Sequence, residues 1–199
     1  MSNQRGFTLV EIAIVMVIIG LLLGGVLKGQ EIVKNARIKN LENDFTGITA
    51  AIFSYQDRYR ALPGDDDKIK TQARFGITGG DNDGNIEGDA LAPTATDESG
   101  YFWAHLRSSG LVEGEPGDST LPGNAFGGGL TGVSSKIVTT PSIAEGKTYI
   151  GFSKIPNDIA AILESRADDE DPTKGSIRAS GKTVYKGNSD DIRDVYFIL

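Results

Sequence analysis

From Phe7 to Leu27 the chain runs apolar, FTLVEIAIVMVIIGLLLGGVL, with Glu11 as its only ionisable side chain. A helix of that length spans about 30 Å, the thickness of a bilayer's hydrocarbon core. After Lys28 the apolar positions thin out and become periodic. Ile38, Leu41, Phe45, Ile48, Ile52, Tyr55, Tyr59 and Leu62 recur in steps of three and four, which lines them along one side of a helix. Lys39, Glu42, Asp44, Asp57 and Arg58 fill the other side, and Pro63-Gly64 stops the pattern. The spacing predicts one helix from Phe7 to Leu62, about 84 Å long, transmembrane over 7–27 and amphipathic over 28–62. The stripe covers fewer than four heptads and shows no clear e/g charge pairing, so it reads as a face packed under a sheet rather than a coiled-coil seam.

Residues 63–135 are rich in Gly, Asp, Asn, Thr and Ser and read as loops around one short helix. That helix is expected from Asp97, a plausible N-cap, to Ser109, with Gly110 as its stop and Phe102, Trp103 and Leu106 on its core face. Segments rich in β-branched and aromatic residues follow at Lys136–Thr140, Lys147–Lys154, Lys182–Lys186 and Arg193–Leu199, with a helix at Asn157–Arg166. The order suggests a small antiparallel sheet laid on the stripe of the long helix. The fold class is α+β, with a globular domain over 63–199.

Glu11 is the residue that needs explaining, because a carboxylate in lipid is tolerated when it is paired and usually carries a function. A cleaved secretory signal is the competing reading of this region. Such signals have an apolar stretch of about 7–15 residues and then a small-residue site. This stretch is longer and continues into Lys28-Gly29-Gln30. A cut after Gly6 would instead remove the polar leader, residues 1–6, and keep the helix. It would also free the α-amino group of Phe7, which at an ordinary pKa of roughly 8 is mostly protonated at neutral pH. Phe7 and Glu11 are four apart and can pair within one helix. They can equally pair between neighbouring subunits, which would make Glu11 an assembly determinant. Gly20-x-x-x-Gly24 and Gly25-x-x-x-Gly29 allow close helix packing or local unwinding, although glycine is also simply common in membrane helices.

Gly6-Phe7-Thr8-Leu9-Val10-Glu11 and the apolar run behind it resemble the class III signal of type IV prepilins and type II secretion pseudopilins. The resemblance implies that a prepilin peptidase cuts after Gly6 and methylates Phe7, and that Glu11 recruits and registers subunits in a helical filament. It implies further partners: other pilin or pseudopilin subunits, an inner-membrane assembly platform and membrane lipid. It places the chain in a bacterial inner membrane, single-pass, with its C-terminal domain in the periplasm and then in a periplasmic or extracellular filament. The positive-inside bias points the other way, since Lys28, Lys34, Arg37 and Lys39 follow the span and only Arg5 precedes it. Leu62-Pro63-Gly64-Asp65, Trp103-Ala104-His105-Leu106-Arg107 and Asp168-Asp169 look like features of pilin-like proteins with larger C-terminal domains, with no chemistry attached. The rival expectation is an unprocessed single-pass protein whose soluble domain is an enzyme or a ligand-binding module.

Composition narrows the choice. The 199 residues include no cysteine and carry a formal charge of −7. Without a disulfide, the soluble domain must hold by its core or by a bound ion. Many pilins close a C-terminal loop with a disulfide, so this departure shifts weight toward pseudopilins and minor pilin-like proteins. An acidic chain does not invite nucleic acid, which favours basic patches. Asp81, Asp83, Asn85, Glu87 and Asp89 set oxygen ligands at alternate positions, a pattern suited to Ca²⁺ with its six to eight oxygens. The loop is not an EF-hand. Counting from Asp81, the sixth residue is Ile86 and the twelfth Ala92, so further ligands would have to come from Asp65-Asp66-Asp67 or Asp168–Asp171. Major type II pseudopilins resemble this case in requiring calcium in a C-terminal loop. The plain alternative is a solvated acidic loop. His105 is the lone histidine and reads as a packing residue. No G-x-S-x-G elbow is present, and Gly127-Gly128-Gly129 lacks the Lys-Ser/Thr of a phosphate loop. The expectation is therefore a structural subunit and not an enzyme.

Overall fold

The computed structural model describes residues 6, 8–68, 77–136, 138, 139, 142–144, 146–168, 170–181 and 191–199. Two compact units divide the chain, residues 1–39 and 40–199, and helix α1 (Leu9–Tyr59) contributes to both.

In the first unit every large apolar side chain from Leu9 to Leu27 is exposed. By length and composition this helix can cross a membrane. Such a surface belongs in lipid or against other apolar helices. The helix passes through Gly20, Gly24, Gly25 and Gly29 without a break, and each of these glycines faces open space. The local unwinding offered as one reading of these glycines is absent here.

The second unit is an α+β domain. Its helical part of the stripe is buried at Leu41, Ile48, Ile52 and Tyr55 and half-buried at Phe45 and Tyr59. α1 ends at Tyr59, three residues before the expected Leu62. Arg60 takes a left-handed backbone, φ 58°, while its N–H still donates to the Gln56 carbonyl. Leu62 precedes a proline and is disfavoured in a helix, so the chain turns before it gets there.

α2 (Glu98–Ser108) follows the loop region. Asp97 is its N-cap by position, but its side chain does not cap the helix. It turns back to accept the Thr94 N–H at 2.8 Å. At the other end Gly110 adopts φ 72°, with its N–H on the Arg107 carbonyl and that of Leu111 on the Leu106 carbonyl, a Schellman ending. Phe102, Trp103, Ala104 and Leu106 are buried.

The strands are β1 (Thr131–Ser134), β2 (Val138–Thr139), β3 (Ser142–Ile143), β4 (Tyr149–Pro156), β5 (Ile177–Ala179) and β6 (Ile192–Ile198), with α3 (Asn157–Ala167) after β4. Four of them form one antiparallel sheet in the order β1-β4-β6-β5, and β2 and β3 form a separate hairpin. This corrects three expectations. β1 lies inside the stretch read as loops, the strand expected over 136–140 is a two-residue arm of the hairpin, and β5 was not foreseen. The expected strand at 182–186 lies outside the described residues.

β1 was hidden by its composition, Thr-Gly-Val-Ser, buried throughout and so without alternation. Gly132 is required there, because a side chain would run into the Ala90 carbonyl. β4 carries one extra residue against β6, between Phe152 and Ile155, where Lys154 takes φ 57°.

Both faces of the sheet are covered. On one, Phe197 meets Phe45 of α1 at 4.9 Å between ring centroids and Phe152 edge-on at 5.5 Å. On the other, Tyr149, Tyr196, Ile143 and Ala90 cluster, with Leu91, Val138 and Ile198 against them. The sheet edges are partly occupied as well. On β5 the Ile177 N–H donates to the Asp168 carboxylate at 2.6 Å and that of Ala179 to the Pro172 carbonyl at 3.0 Å. Beside β1, Thr131 N–H donates to the Pro122 carbonyl and Ser135 N–H to that of Ile86. Those donors are not offered to an incoming strand.

Candidate functional site

The N-terminal site is built by the start of α1. Gly6 is exposed and Phe7 lies outside the described residues. Glu11 is not bare. Its Oε2 accepts the Thr8 N–H at 2.8 Å and the Thr8 hydroxyl at 2.8 Å, while the Glu11 N–H donates to Thr8 Oγ1 at 3.2 Å. Thr8 immediately precedes the first helical residue and Glu11 is the third inside, so this is a capping box. It satisfies N–H groups that a helix leaves open at its start. The signal was present in the sequence as Thr-x-x-Glu before an apolar run, and reading only the Phe7–Glu11 spacing passes it over. While the leader is attached the Phe7 nitrogen is an amide and carries no charge. Among the described residues, Thr8 is then the in-chain partner of the Glu11 carboxylate.

The acidic loop forms a second arrangement. The buried Asp65, just past the end of α1, accepts the Asp83 N–H on Oδ1 at 3.1 Å and the Gly84 N–H on Oδ2 at 2.9 Å. The buried Glu98, in the first turn of α2, accepts the Asp81 N–H on Oε1 at 3.0 Å and the Glu87 N–H on Oε2 at 3.2 Å. Two buried carboxylates thus clamp the loop over 81–87. Carboxylate oxygens of Asp65, Asp81 and Glu98 all lie within 4.8 Å of one another, as do those of Asp81, Asp83 and Glu87. Asp81 belongs to both groups, so four other carboxylates lie around it.

Of the five expected ligands, the structure brings together Asp81, Asp83 and Glu87. The Asn85 amide instead donates to Asp83 Oδ2 at 3.1 Å, and Asp89 accepts the N–H groups of Leu91 and Ala92. Of the further acids offered, Asp65 lies with Asp81 and Glu98, whereas Asp66 accepts from the Tyr55 hydroxyl at 3.0 Å. Asp168 and Asp171 bond within their own loop, and Asp169 lies outside the described residues. Glu98 was missed. Nothing local marks it, because its partners sit 17 and 11 residues back along the chain.

Electrostatics separate these acids. Burial, reinforced by the neighbouring Glu87 carboxyl, pushes Glu98 up to about 8, so it holds a proton at neutral pH. Burial also raises Asp65, opposed by the backbone N–H groups it accepts. Exposed Asp83 is held below the usual range by the Asn85 side chain and N–H. The donor set is all oxygen, which suits a hard cation such as Ca²⁺.

His105 is fully buried. Its Nδ1 accepts the Gly64 N–H and its Nε2 meets the Thr78 carbonyl, each at 2.9 Å. That pair of bonds fixes the neutral Nε2–H tautomer, and burial lowers the ring's pKa. The residue ties α2 to the chain after α1, in line with a packing role.

No curated protein and no solved structure matches the chain. Residues 1–27 match the family described as the prokaryotic N-terminal methylation motif. The match covers the polar leader, the Gly6–Phe7 junction, the Thr8–Glu11 box and the whole apolar span. The N-terminus of this chain is therefore a prokaryotic N-terminal methylation motif, the processing signal of type IV pilins and pseudopilins.

Proposed function

We propose that this protein is a structural subunit of a type IV filament, a type II secretion pseudopilus or a type IV pilus. A prepilin peptidase cuts it after Gly6 and methylates Phe7. The apolar part of α1 anchors it in the bacterial inner membrane and then enters the filament core, with the α+β domain in the periplasm. The observation that carries this reading is a methylation motif over residues 1–27 continuous with an exposed apolar helix face from Leu9 to Leu27. That face must be covered by lipid or by other helices. In the filament, Glu11 exchanges its bonds with Thr8 for a neighbour's Phe7 amine. No catalytic role is assigned, and His105 has both ring nitrogens committed to backbone groups.

The test is the mature N-terminus in the native host. A chain beginning at N-methyl-Phe7 supports the reading, and Gly6→Ala leaves the leader attached. Glu11→Ala is cut normally yet is recovered poorly with partner subunits in a pull-down. A native chain that keeps residues 1–6 and stays a lone membrane protein overturns it.

A further inference from the structure

Directly after the apolar span, residues 28–39 hold four cations, Lys28, Lys34, Arg37 and Lys39, against one acid, Glu31, and the next acid is Glu42. This basic collar sits in a chain whose formal charge is −7. All of it is helical, and Lys28, Arg37 and Lys39 are exposed. Lys28 is tied to Glu31 at 2.7 Å, one turn further on.

We infer that this collar binds the headgroups of anionic phospholipids in the leaflet where the span emerges. The inference rests on the membrane-anchoring part of the function proposed above and is independent of filament assembly. Depth argues for it. Beyond the hydrocarbon, the headgroup layer is about 5–8 Å thick on each side. At 1.5 Å per residue, Lys34 lies about 9 Å beyond Lys28, Arg37 about 13 Å and Lys39 about 16 Å. Side chains on a helix lean toward its N-terminus, which here is the end inside the membrane, so these cations reach back toward the lipid surface. The Debye length of about 8 Å brings Arg37 within range and leaves Lys39 at the margin. Each cation close to an anionic surface favours binding about fivefold.

The positive-inside bias gives this arrangement a second meaning. Cations on the translocated side are unusual, and a bound anionic headgroup neutralises them there. It would hold α1 at one depth, with Leu27 at the hydrocarbon boundary and Lys28 among the headgroups.

The experiment places the full chain in nanodiscs of phosphatidylcholine, alone or with an equal part of phosphatidylglycerol. Native mass spectrometry then reads the lipids that stay bound. The expected result is a several-fold preference for phosphatidylglycerol that fades at high salt. Lys28→Gln and Lys34→Gln each weaken it more than Lys39→Gln does. Glu31→Gln strengthens it by freeing Lys28. Replacing all four cations by Gln abolishes it, while Lys136→Gln leaves it unchanged. Equal retention of both lipids by the wild type overturns the inference while leaving the anchor intact, as does a preference that survives the fourfold change. Salt-sensitive pairing of two copies through the collar in phosphatidylcholine alone gives the collar to a protein partner and also overturns it. A chain that enters neither disc overturns the anchoring itself.

Discussion

Thr8 and Glu11 bond each other in both directions, the hydroxyl donating to the carboxylate at 2.8 Å and accepting the Glu11 N–H at 3.2 Å. This changes how the acid in the apolar segment is understood. A lone carboxylate would depend on a second subunit for any partner. Glu11 instead arrives with polar contacts already made, so the uncut chain can wait in the membrane. In the proposed filament, assembly competes with that existing set of bonds. The free amine of a chain cut before Phe7 is the cation proposed to displace them.

Thr8→Val removes the hydroxyl, retains similar bulk and leaves Glu11 with the Thr8 N–H site alone. Loss of a capping side chain costs a helix start about 1 kcal/mol. In detergent micelles, amide hydrogen exchange over Leu9–Ile12 should therefore speed up about fivefold in the variant. Exchange beyond the second turn should be unchanged. Cleavage after Gly6 should also be unaffected, which intact-mass measurement checks.

Ring contact between Phe45 and Phe197, at 4.9 Å, joins α1 to β6 within the C-terminal unit. Phe152 packs edge-on to the same Phe197 ring and is fully buried. Phe152→Ala should destabilise the domain by about 3–5 kcal/mol, the usual cost of emptying a buried aromatic site. Phe45→Ala should cost less, since Phe45 is half-buried. A double-mutant cycle on Phe45 and Phe197 should return a coupling of about 0.5–1.5 kcal/mol. Additive losses would mean that the helix stripe does not use this strand.

Those contacts lie where the sequence was most legible. The stripe from Leu41 to Tyr55 repeats every three or four residues because one side faces a core, and β4 and β6 declare themselves through Tyr149-Ile150 and Val195-Tyr196-Phe197. β1 and β5 escape for a different reason. β1 is buried at all four residues and shows no alternation, β5 alternates but is only three residues long, and Gly132 suggests a turn until the Ala90 carbonyl above it is seen. The acidic loop was half readable. Its alternating oxygens are local, but Asp65 and Glu98, which hold it in place, come from distant positions and are identified only by the fold.

Glu98 gives the domain a pH dependence of definite sign. Its pKa is near 4.5 unfolded and about 8 folded, so between those values the native state binds more protons than the unfolded one. Stability is then fully present below about pH 4.5 and is lost as pH rises toward 8. His105 acts oppositely. Burial lowers its pKa from 6.5, so the unfolded state takes up a proton first and stability falls on acidification below that value. The window from 6.5 to 8 lies above the free histidine value and below that of folded Glu98, and the Glu98→Gln variant separates Glu98 from Asp44, Asp65 and Asp194, which burial also raises. Thermal melts of the chain in micelles should show a midpoint that declines across that window. Glu98→Gln should flatten the decline, with a constant offset because an amide oxygen replaces only one of the two acceptors. An unchanged slope in the variant would assign the titration to another group.

The same proton governs any cation that Asp65, Asp81 and Glu98 hold. Their oxygens lie within 4.8 Å of one another, as do those of Asp81, Asp83 and Glu87, and a Ca²⁺ held by the first group must displace the proton from Glu98 before that carboxyl can ligate. One proton released per ion makes the affinity rise about tenfold for each unit that pH rises toward about 8, and level off above it. Calorimetric titration of the full chain with calcium chloride at two pH values, in buffers of different ionisation heat, reads both the affinity and the released proton. Glu98→Gln should abolish the pH dependence, and Asp81→Asn, shared by both groups of acids, should weaken binding most. Binding without proton release would remove Glu98 from the ligand set. Absence of binding would leave Asp65 and Glu98 with the role their hydrogen bonds already define, that of clamping residues 81–87 between the end of α1 and the start of α2.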